Sequence, residues 1–384
     1  MQKRRNILVV GAGFSGAVIA RYLSERGYLV DIVDQRKTVG GNCYTYRDQN
    51  TDILVHKYGP HIFHTNDDKI WKFVNRFGTL IPYRHSVFVT LKNNIYRMPI
   101  NLHTINQFFN AAMTPSQARN FITNKIITFQ NVNNFEEQAL SIFGPQLYEA
   151  FIKGYTQKQW GTEPKNLPAN IILRLPFRFN YDDNYFVHKL QGIPIEGYTS
   201  IVEALLCHKN INLILGQKIH RYNLTKYEHV FVSAPLDEWY DHSEGRLNYR
   251  TLNFEEFIVN GDFQGCSVMN YADPEIPFTR ITEHKHFAPS ECHEKSIVFR
   301  EYSKHCEVND IPFYPTRLHS DKAILKKYIE RANSDKNITF VGRLGTYRYI
   351  DMDVAISEAL KAAKQFVNFR KRSQMMPAFI DSPI

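Results

Sequence analysis

The order of apolar and polar positions near the start of the chain predicts a strand, a helix and a second strand. Residues 7–10 form a short apolar run, and the helical stretch that follows places Ala20 and Leu23 on one face. A second apolar run, over residues 29–34, ends in the acid Asp34. This alternation of strands and helices is typical of a parallel sheet with helical connections.

The turn between the first strand and the helix has the glycine spacing of a dinucleotide-binding loop. Gly11, Gly13 and Gly16 allow, in that order, a tight turn, close approach of the backbone to a pyrophosphate and close packing of helix on strand. The helix N-terminus offers free N–H groups and a positive dipole end to phosphates. Asp34 stands where a ribose 2′-hydroxyl would bind, and a glycine pair follows at residues 40–41. The sequence therefore predicts a bound flavin dinucleotide.

The pattern becomes a hairpin followed by helices in the second quarter of the chain. Residues 86–99 alternate apolar and polar side chains around a turn at residues 93–94, so we expect a β-hairpin. Residues 114–117 form a capping box with proline at the first helical position. Asn134 opens another helix, which the glycine and proline at residues 144–145 interrupt. We expect a helical lobe here.

The last part of the chain returns to an α/β pattern. Short strands are predicted within residues 209–222 and 229–233, and an apolar strand at 338–341 precedes a helix that starts near Asp351. An FAD enzyme needs a second helix N-terminus near its isoalloxazine ring, because the reduced ring is anionic around N1 and the C2 carbonyl. The final residues, 375–384, are expected to form a mobile tail.

Length and composition fit a globular protein of two or three lobes. The chain has 384 residues, of which 43% are hydrophobic and 22% charged. Its 27 phenylalanines and 22 tyrosines are enough to line a polar-aromatic cleft as well as a core. The net charge of +9, with basic runs at residues 3–5 and 370–372, would attract an anionic ligand. No nucleic-acid-binding motif is present, so nucleic acid is not an expected partner.

The cysteines and the hydropathy exclude several classes of protein. The 5 cysteines are odd in number and contain no CxxC pair, so neither a disulfide framework nor a zinc site is indicated. No signal peptide precedes the first strand, and no apolar run approaches the roughly 20 residues that span a bilayer. We expect a cytoplasmic protein without a metal ion and without stable membrane insertion.

Several longer motifs together resemble the bacterial UDP-galactopyranose mutase family. In chain order they are VVGAGFSGAVIA, YGPHIFHT, PINLHTINQFF, FEEQAL, YEAFIKGYTQKQWG, RFNYDDNYF, MNY at residues 269–271, TRITEHKHF and FVGRLGTYRYIDMDV. The resemblance extends from about residue 7 to residue 364. It implies an isomerase that interconverts UDP-galactopyranose and UDP-galactofuranose by ring contraction and so supplies galactofuranose for cell-surface glycans.

The resemblance also implies the cofactor and its contacts. In this family the N5 atom of reduced FAD acts as the nucleophile on the anomeric carbon, with no net redox change. An external reductant such as NAD(P)H and a homodimer are implied as well. The implied cofactor residues are Gly11, Gly13, Phe14, Ser15, Gly16, Asp34, Gln35, Gly41, Asn42, His61, Ile62, Arg343, Ile350, Asp351, Met352 and Ala355.

A second set of residues is implied to bind the substrate. It consists of Phe151, Tyr155, Thr156, Trp160, Arg174, Tyr185, Asn270, Arg280, Tyr314, Arg343 and Tyr349. Arg174, Arg280 and His64 are the implied catalytic residues, since a departing diphosphate needs cations and an arginine fork binds two oxygens at once. The family has asparagine near the position of His85, and this departure leaves a ligand contact there open.

These patterns divide the predicted α/β fold into three parts. A discontinuous Rossmann-like FAD-binding domain is combined with an inserted helical lobe that carries a mobile lid, and with an antiparallel sheet domain for the substrate. Their ranges are 1–85, 195–245 and 315–384 for the first, 100–175 for the second, and 86–99, 176–194 and 246–314 for the third. The lid is expected within residues 161–178, where one glycine and three prolines interrupt regular structure.

Two other classes share parts of these patterns. An FAD-dependent oxidase of the amine-oxidase type has the same glycine motif, but it has no need for Arg174 and Arg280. Escort proteins of small GTPases use a related fold without enzymatic activity, but they have lost the dinucleotide glycines that this chain retains at Gly11, Gly13 and Gly16.

Overall fold

The computed structural model describes residues 6–221, 224–318 and 320–384. The strands within these residues are Asn6–Val10 (β1), Leu29–Asp34 (β2), Thr45–Arg47 (β3), Leu54–His56 (β4), Phe63–Thr65 (β5), Leu80–Pro82 (β6), Val87–Leu91 (β7), Asn94–Met98 (β8), Leu190–Pro194 (β9), Ile211–Leu215 (β10), His229–Val232 (β11), Tyr249–Asn260 (β12), Val268–Tyr271 (β13), Arg280–Glu283 (β14), Lys295–His305 (β15), Tyr314–Pro315 (β16) and Ile338–Phe340 (β17). The predicted basic run at residues 3–5 and the end of the predicted segment 209–222 lie outside the described residues.

Helices connect these strands. The α-helices are Phe14–Ser24 (α1), Asp68–Asn75 (α2), Leu102–Phe108 (α3), Pro115–Thr123 (α4), Phe135–Leu147 (α5), Gly154–Trp160 (α6), Gly197–Leu206 (α7), Leu236–Trp239 (α8), Asp321–Ser334 (α9), Gly342–Gly345 (α10) and Met352–Lys371 (α11). Shorter helical turns are Gly41–Cys43, Tyr148–Lys153, Pro164–Asn166, Ala169–Arg174 and His284–Phe287. Within the described ranges no helix is long and apolar enough to cross a membrane.

A five-stranded parallel sheet confirms the predicted Rossmann-like fold. Its strand order is β10-β2-β1-β11-β17, and every neighbouring pair is parallel. Residues 7–10 of β1 are all buried, as expected for a central strand with helices on both faces. One face packs against α1, α7 and α11, and the other against α8 and α9.

A seven-stranded sheet lies beside it, in the order β16-β12-β15-β14-β13-β7-β8. Its pairs are antiparallel except for β13 and β7, which run parallel. The predicted hairpin of residues 86–99 is confirmed as β7 and β8, and its turn residues Lys92 and Asn93 have positive φ values of 47° and 64°. Asn270 and Arg280 lie on the neighbouring strands β13 and β14.

The predicted helical lobe is confirmed. Its helices α3–α6 lie in the chain between β8 and β13, two strands of the seven-stranded sheet. The capping box at Thr114 starts α4, and the Asn134 side chain accepts a hydrogen bond from the N–H of Glu137 at the start of α5. Gly144, with a φ of 72°, breaks the regular path of α5 as predicted. The lobe packs on β7 and β8 through an apolar core that includes Phe135.

The division into three domains stays a prediction, but one segment pairs with strands of a different predicted domain from the one to which we assigned it. We expected residues 176–194 to belong to the substrate sheet. Strand β9 instead pairs antiparallel with β5 and β6 of the first predicted domain, in a three-stranded sheet. Each of these strands is short, so their pairing has little local signal in the sequence.

Two segments that were expected to move have contacts that hold parts of them. The segment 161–178 contains three buried residues, Pro164, Leu167 and Ile172, so lid movement stays a prediction. The expected free tail is instead docked on β17. Phe340 N donates to Ala378 O at 2.8 Å, because the edge strand β17 leaves backbone groups available.

Candidate functional site

Two adjoining cavities open beside the parallel sheet. The first is formed at the carboxyl ends of the parallel strands, where Gly11, Asp34 and Gly342 follow or end their strands. The second lies between the seven-stranded sheet and the helical lobe, with Asn270 and Trp160 in its wall. Both cavities are lined by four shared residues, His61, Arg343, Asp351 and Met352. The carboxyl edge of an open parallel sheet is the usual binding place of such folds.

The glycine loop has the backbone geometry that its sequence predicts. Gly11 has a φ of 102°, which favours glycine. A Cβ atom on Gly16 would stand 1.9 Å from the Gly11 carbonyl oxygen, so only glycine lets α1 pack this closely. A Cβ atom on Gly13 would meet nothing closer than the Gly41 Cα at 3.8 Å. A methyl group at Gly13 would therefore clash with no described atom of the protein, so any need for glycine there comes from a ligand that approaches the backbone.

Asp34 fixes this loop from the neighbouring strand. Its Oδ2 accepts a hydrogen bond from Ala12 N at 2.7 Å, and its Oδ1 accepts one from Arg36 N at 2.8 Å. The carboxylate thus holds the glycine turn against β2. Asp34 also lines the first cavity, where the sequence predicts a ribose hydroxyl, and a carboxylate has further lone pairs that can accept from it.

The first cavity fits a flavin dinucleotide. Two helices begin at it, α1 after Gly13 and α11 after Asp351, and neither N-cap residue caps its helix through a side chain. In α11 the Val354 N–H donates to Oδ1 of Asp353 at 2.8 Å, which leaves the N–H groups of Met352 and Asp353 for a ligand. In α1 the N–H groups of the first turn have no side-chain acceptor among the described residues. Each helix presents a positive dipole end. This pair of helix starts suits the pyrophosphate at one end and an anionic flavin ring at the other.

Most predicted cofactor residues line this cavity. They are Gly11, Gly13, Phe14, Ser15, Asp34, Gln35, Gly41, Asn42, His61, Arg343, Ile350, Asp351, Met352 and Ala355. Gly16 does not line it, because it lies behind the Gly11 carbonyl, and Ile62 lines the second cavity instead. Their contacts with a cofactor stay a prediction.

We expect Gly13→Ala and Gly16→Ala to fail in different ways. The Gly13 variant should fold with unchanged thermal stability but bind FAD about ten- to a hundredfold more weakly, since overpacking against a ligand costs about 1–3 kcal/mol. The Gly16 variant should lose stability even without FAD, because its methyl group overlaps backbone. Melting curves and flavin absorbance of both variants check this. Equal flavin binding by Gly13→Ala and wild type would contradict it.

The second cavity brings together all of the predicted substrate residues and the predicted catalytic His64. They are His64, Phe151, Tyr155, Thr156, Trp160, Arg174, Tyr185, Asn270, Arg280, Tyr314, Arg343 and Tyr349. They come from β5, α6, β13, β14, β16, α10, two short helical turns and two irregular segments, and they extend from residue 64 to residue 349 of the chain. Three of them are arginines, so the cavity is suited to an anionic ligand.

Arg280 is more buried than Arg174, with 21% and 35% of their side-chain surfaces exposed. Its Nε lies 3.0 Å from Oε1 of Glu301, although the geometry is not that of an aligned hydrogen bond. Burial alone would lower the pKa of Arg280, but Glu301 and the hydroxyl groups of Tyr155 and Tyr314 raise it well above its usual value. No described residue accepts a hydrogen bond from its two terminal nitrogens. They are therefore left for a ligand.

Arg174 approaches the cavity from the other side. It forms an ion pair with Asp351, and its guanidinium carbon lies 4.1 Å from the centre of the Tyr349 ring. Arg343 lies near the same ring, at 5.0 Å, and donates from Nη2 to Ile350 O at 2.7 Å. Tyr349 thus lies between two guanidinium groups, where the cavities join.

Three histidines in the cavity wall, His61, His64 and His85, are neutral at physiological pH. Burial lowers the pKa of His61 and of His64 to about 4, and that of His85 to about 3. His64 is stacked on Phe186 with ring centres 3.9 Å apart, and its Nδ1 lies 3.0 Å from Nδ1 of His188. These histidines can therefore exchange hydrogen bonds with a ligand but add no positive charge.

Several lining residues were missed by the sequence reasoning. Gln159 lies one helical turn after Tyr155 on α6, and that spacing could have identified it. Its Oε1 is buried without a partner among the described residues, as are Nδ1 of His85 and Oδ1 of Asn270. His188 also lines the cavity, but it lies in an irregular segment without a sequence signal.

Together, the dinucleotide cavity and the arginine-lined cavity define a cofactor-dependent enzyme that acts on an anionic ligand. A family model described as UDP-galactopyranose mutase matches residues 150–349, and one for an NAD(P)-binding Rossmann-like domain matches residues 9–77. A probable UDP-galactopyranose mutase from Klebsiella pneumoniae is 54% identical over 376 residues, which are 98% of each chain. The chain therefore belongs to the UDP-galactopyranose mutase family of flavin-dependent isomerases, as its motifs predict.

Other similar proteins range from a relative of high sequence identity to structures that share only the fold. A dTDP-fucopyranose mutase from Escherichia coli is 50% identical and covers 95% of this chain and 99% of its own. A crystal structure of a reduced UDP-galactopyranose mutase superposes with a TM-score of 0.75 over 95% of this chain and 96% of its own, at 16% identity. A putative protoporphyrinogen oxidase from Exiguobacterium gives 0.66 at 11% identity, over 97% of this chain and 100% of its own. The two structures support the fold alone.

Proposed function

We propose that this chain interconverts UDP-galactopyranose and UDP-galactofuranose and that its cofactor is FAD. The observation that carries the proposal is the meeting of Arg174, Arg280 and Arg343 in one cavity that adjoins the dinucleotide cavity. A reaction in which a diphosphate leaves the anomeric carbon and returns to it needs fixed cations throughout. Arginine forks supply that charge and fix the orientation of the phosphate oxygens.

The cofactor and the protein divide the chemistry between them. When bound and reduced, FAD supplies a nucleophilic nitrogen, N5, for the anomeric carbon. The chain would hold it through the Gly11–Gly13 loop, Asp34 and the start of α11, whose positive dipole end stabilises negative charge. Met352, at that helix start, lines both cavities, and this supports a flavin ring that reaches the substrate there.

The nucleotide end of the substrate is assigned to α6. Tyr155 and Trp160 offer flat rings to a uracil base, and Phe151 adds an apolar wall. The unpartnered Oε1 of Gln159 can accept a hydrogen bond from the base N3–H. The sugar would then lie towards His64 and Asn270, near the junction of the two cavities.

Further features of the proposal rest on the family resemblance. They are a lid within residues 161–178 that closes over the substrate, an external reductant such as NAD(P)H, a homodimer, a cytoplasmic location and a role in supplying galactofuranose for cell-surface glycans. The position of Arg174 at the end of the turn Ala169–Arg174, in contact with Asp351 beside the first cavity, is compatible with such a lid.

A second candidate substrate is the dTDP-fucose pair, because one relative of 50% identity is named a dTDP-fucopyranose mutase. Thymine differs from uracil by a methyl group, which an apolar pocket distinguishes by only about 1–3 kcal/mol. Fucose lacks the 6-hydroxyl group of galactose, and a site that pairs with a hydroxyl rejects the deoxy sugar more strongly. The nucleoside sugars differ as well, because dTDP lacks the ribose 2′-hydroxyl group of UDP. The choice between the substrates therefore depends on which of these two hydroxyl groups the cavity binds.

The experiment compares both substrates on the same reduced enzyme. We expect kcat/KM for UDP-galactofuranose to exceed that for the furanose form of dTDP-fucose at least about tenfold. The Gly13→Ala variant, prepared without FAD, serves as the inactive control. A preference for the dTDP sugar would overturn the substrate assignment, while the absence of turnover with either would overturn the proposed activity.

A further inference from the structure

Lys158 links helix α6, to which we assign the uracil base, with the strands that carry Asn270 and Arg280. The Lys158 ammonium, on α6, donates to four backbone carbonyl oxygens at the end of β13 and in the loop that leads from it to β14. The distances are 2.7 Å to Tyr271 O, 2.8 Å to Asp273 O, 3.0 Å to Ile276 O and 3.2 Å to Phe278 O. Three hydrogens are thus shared among four acceptors, and the charge lies in a cage of carbonyl dipoles.

The cage lies between two parts of the second cavity. On one side, α6 carries Tyr155 and Trp160, one turn before and two residues after Lys158. On the other side, the caged loop connects Asn270 on β13 with Arg280 on β14. The relative positions of these two groups of side chains therefore depend on how α6 meets the loop.

Two further contacts make this meeting close and fixed. A Cβ atom on Gly154, in the first turn of α6, would stand 2.5 Å from Ala272 O, so the helix backbone lies directly against the loop. At the other end of the helix, Arg250 Nε and Ser303 Oγ both donate to Gln159 O, at 3.1 and 2.7 Å. Arg250 and Ser303 fix the helix to the large sheet, and Lys158 fixes it to the loop.

We propose that Lys158 is a positioning residue that sets the spacing between the base-binding helix and the diphosphate-binding Arg280. This proposal rests on the proposed function. A ligand that is held at both its base and its diphosphate binds tightly only if the two subsites keep the right separation. Ligands that use one subsite alone do not depend on that separation.

The test measures affinity for ligands that occupy one or both subsites. Uridine occupies only the base subsite, inorganic pyrophosphate only the arginine subsite, and UDP both. We expect Lys158→Met to weaken UDP binding at least about tenfold by loss of preorganisation, while uridine and pyrophosphate bind within about twofold of wild type. KM for the nucleotide sugar should rise more than kcat falls. Lys153→Met is the matched control, because Lys153 pairs with Glu149 outside this cage.

Chemical rescue separates positioning from general stability. Lys158→Ala removes the atoms of one n-propylammonium ion, so adding that ion should restore UDP affinity, whereas the neutral 1-propanol should not. Equal loss of all three ligands together with a lower melting temperature, or no rescue by the ammonium ion, would overturn the proposal. Unchanged UDP binding by Lys158→Met would overturn it too. Wild-type protein that binds no UDP would contradict the proposed function itself, and the positioning role with it.

Discussion

Replacing Arg280 with alanine is expected to lower turnover of UDP-galactofuranose by the reduced enzyme about 10²–10³-fold, as does the loss of one fixed donor at a developing oxyanion. The reason is that the Arg280 guanidinium enters the second cavity with its terminal nitrogens unpaired in the described structure. No other cation in that cavity lies on the strand next to Asn270. FAD content should stay normal, because Arg280 does not line the first cavity.

The same change leaves Glu301 buried without its cation, and removing one partner of a buried pair costs about 3–5 kcal/mol of stability. The double variant Arg280→Met/Glu301→Gln removes both charges and keeps the test valid if the single variant unfolds. Arg84→Ala is the control, since Arg84 is exposed and pairs with Asp182 and Asp183 away from the cavity. Steady-state kinetics and flavin absorbance give the readouts. Wild-type turnover in the Arg280 variants would show that Arg280 does not take part in the reaction.

The free energy of unfolding is expected to fall steeply as the pH is lowered from 6.5 towards 4. Six histidines of the interior and cavity walls have pKa values below their usual 6.5, mainly because of burial; they are His56, His61, His64, His85, His229 and His284. The unfolded chain binds their protons near pH 6.5, whereas the folded chain binds them only at lower pH, near pH 4 at His61 and near pH 3 at His229. Stability therefore rises with pH across this window and is lost as the pH falls.

The size of this loss of stability can be calculated from a single histidine. A histidine with a folded pKa of about 4 loses about 2 kcal/mol of its stabilising contribution at pH 5 relative to neutral pH. Several such groups together approach the total stability of an ordinary domain, about 5–15 kcal/mol. Thermal melting at intervals between pH 7.5 and 4.5 measures the slope.

His229 offers a test outside both cavities. It is buried beside Thr339, with Nε2 and Oγ1 3.0 Å apart, and His229→Gln keeps a polar group there without a titrating one. This variant should show a shallower loss of stability between pH 6.5 and 4. His103→Gln, at an exposed position, should keep the wild-type slope. A melting temperature that does not change between pH 7 and 5 would contradict the argument.

Some of the fold could be predicted because the backbone itself restricts the residue type. Gly11 and Gly16 are required by a left-handed φ and by a close approach to a carbonyl, so their spacing identifies the strand–turn–helix unit. The capping box at Thr114 and the helix break at Gly144 are likewise determined by residues that are neighbours in the sequence. Such signals need no knowledge of distant contacts, and the structure confirms them.

The remainder depends on contacts between distant parts of the chain. Strand β9 pairs with β5 and β6 across more than a hundred positions, and the tail docks on the edge of β17. Lys158 finds acceptors that are backbone carbonyl oxygens, which no residue type reveals. The same holds for His188, which reaches the cavity from an irregular segment. The family motifs identified most lining residues because they carry information about such contacts that periodicity does not.

The most direct test of the account is the conversion of UDP-galactofuranose by the purified, FAD-loaded protein before and after reduction with dithionite, followed by chromatography of the nucleotide sugars. We expect UDP-galactopyranose to form in the reduced sample and not in the air-oxidised one, because only reduced flavin offers a nucleophilic N5. A reduced, FAD-loaded protein that leaves UDP-galactofuranose unchanged, or an oxidised one that converts it as fast, would contradict the account.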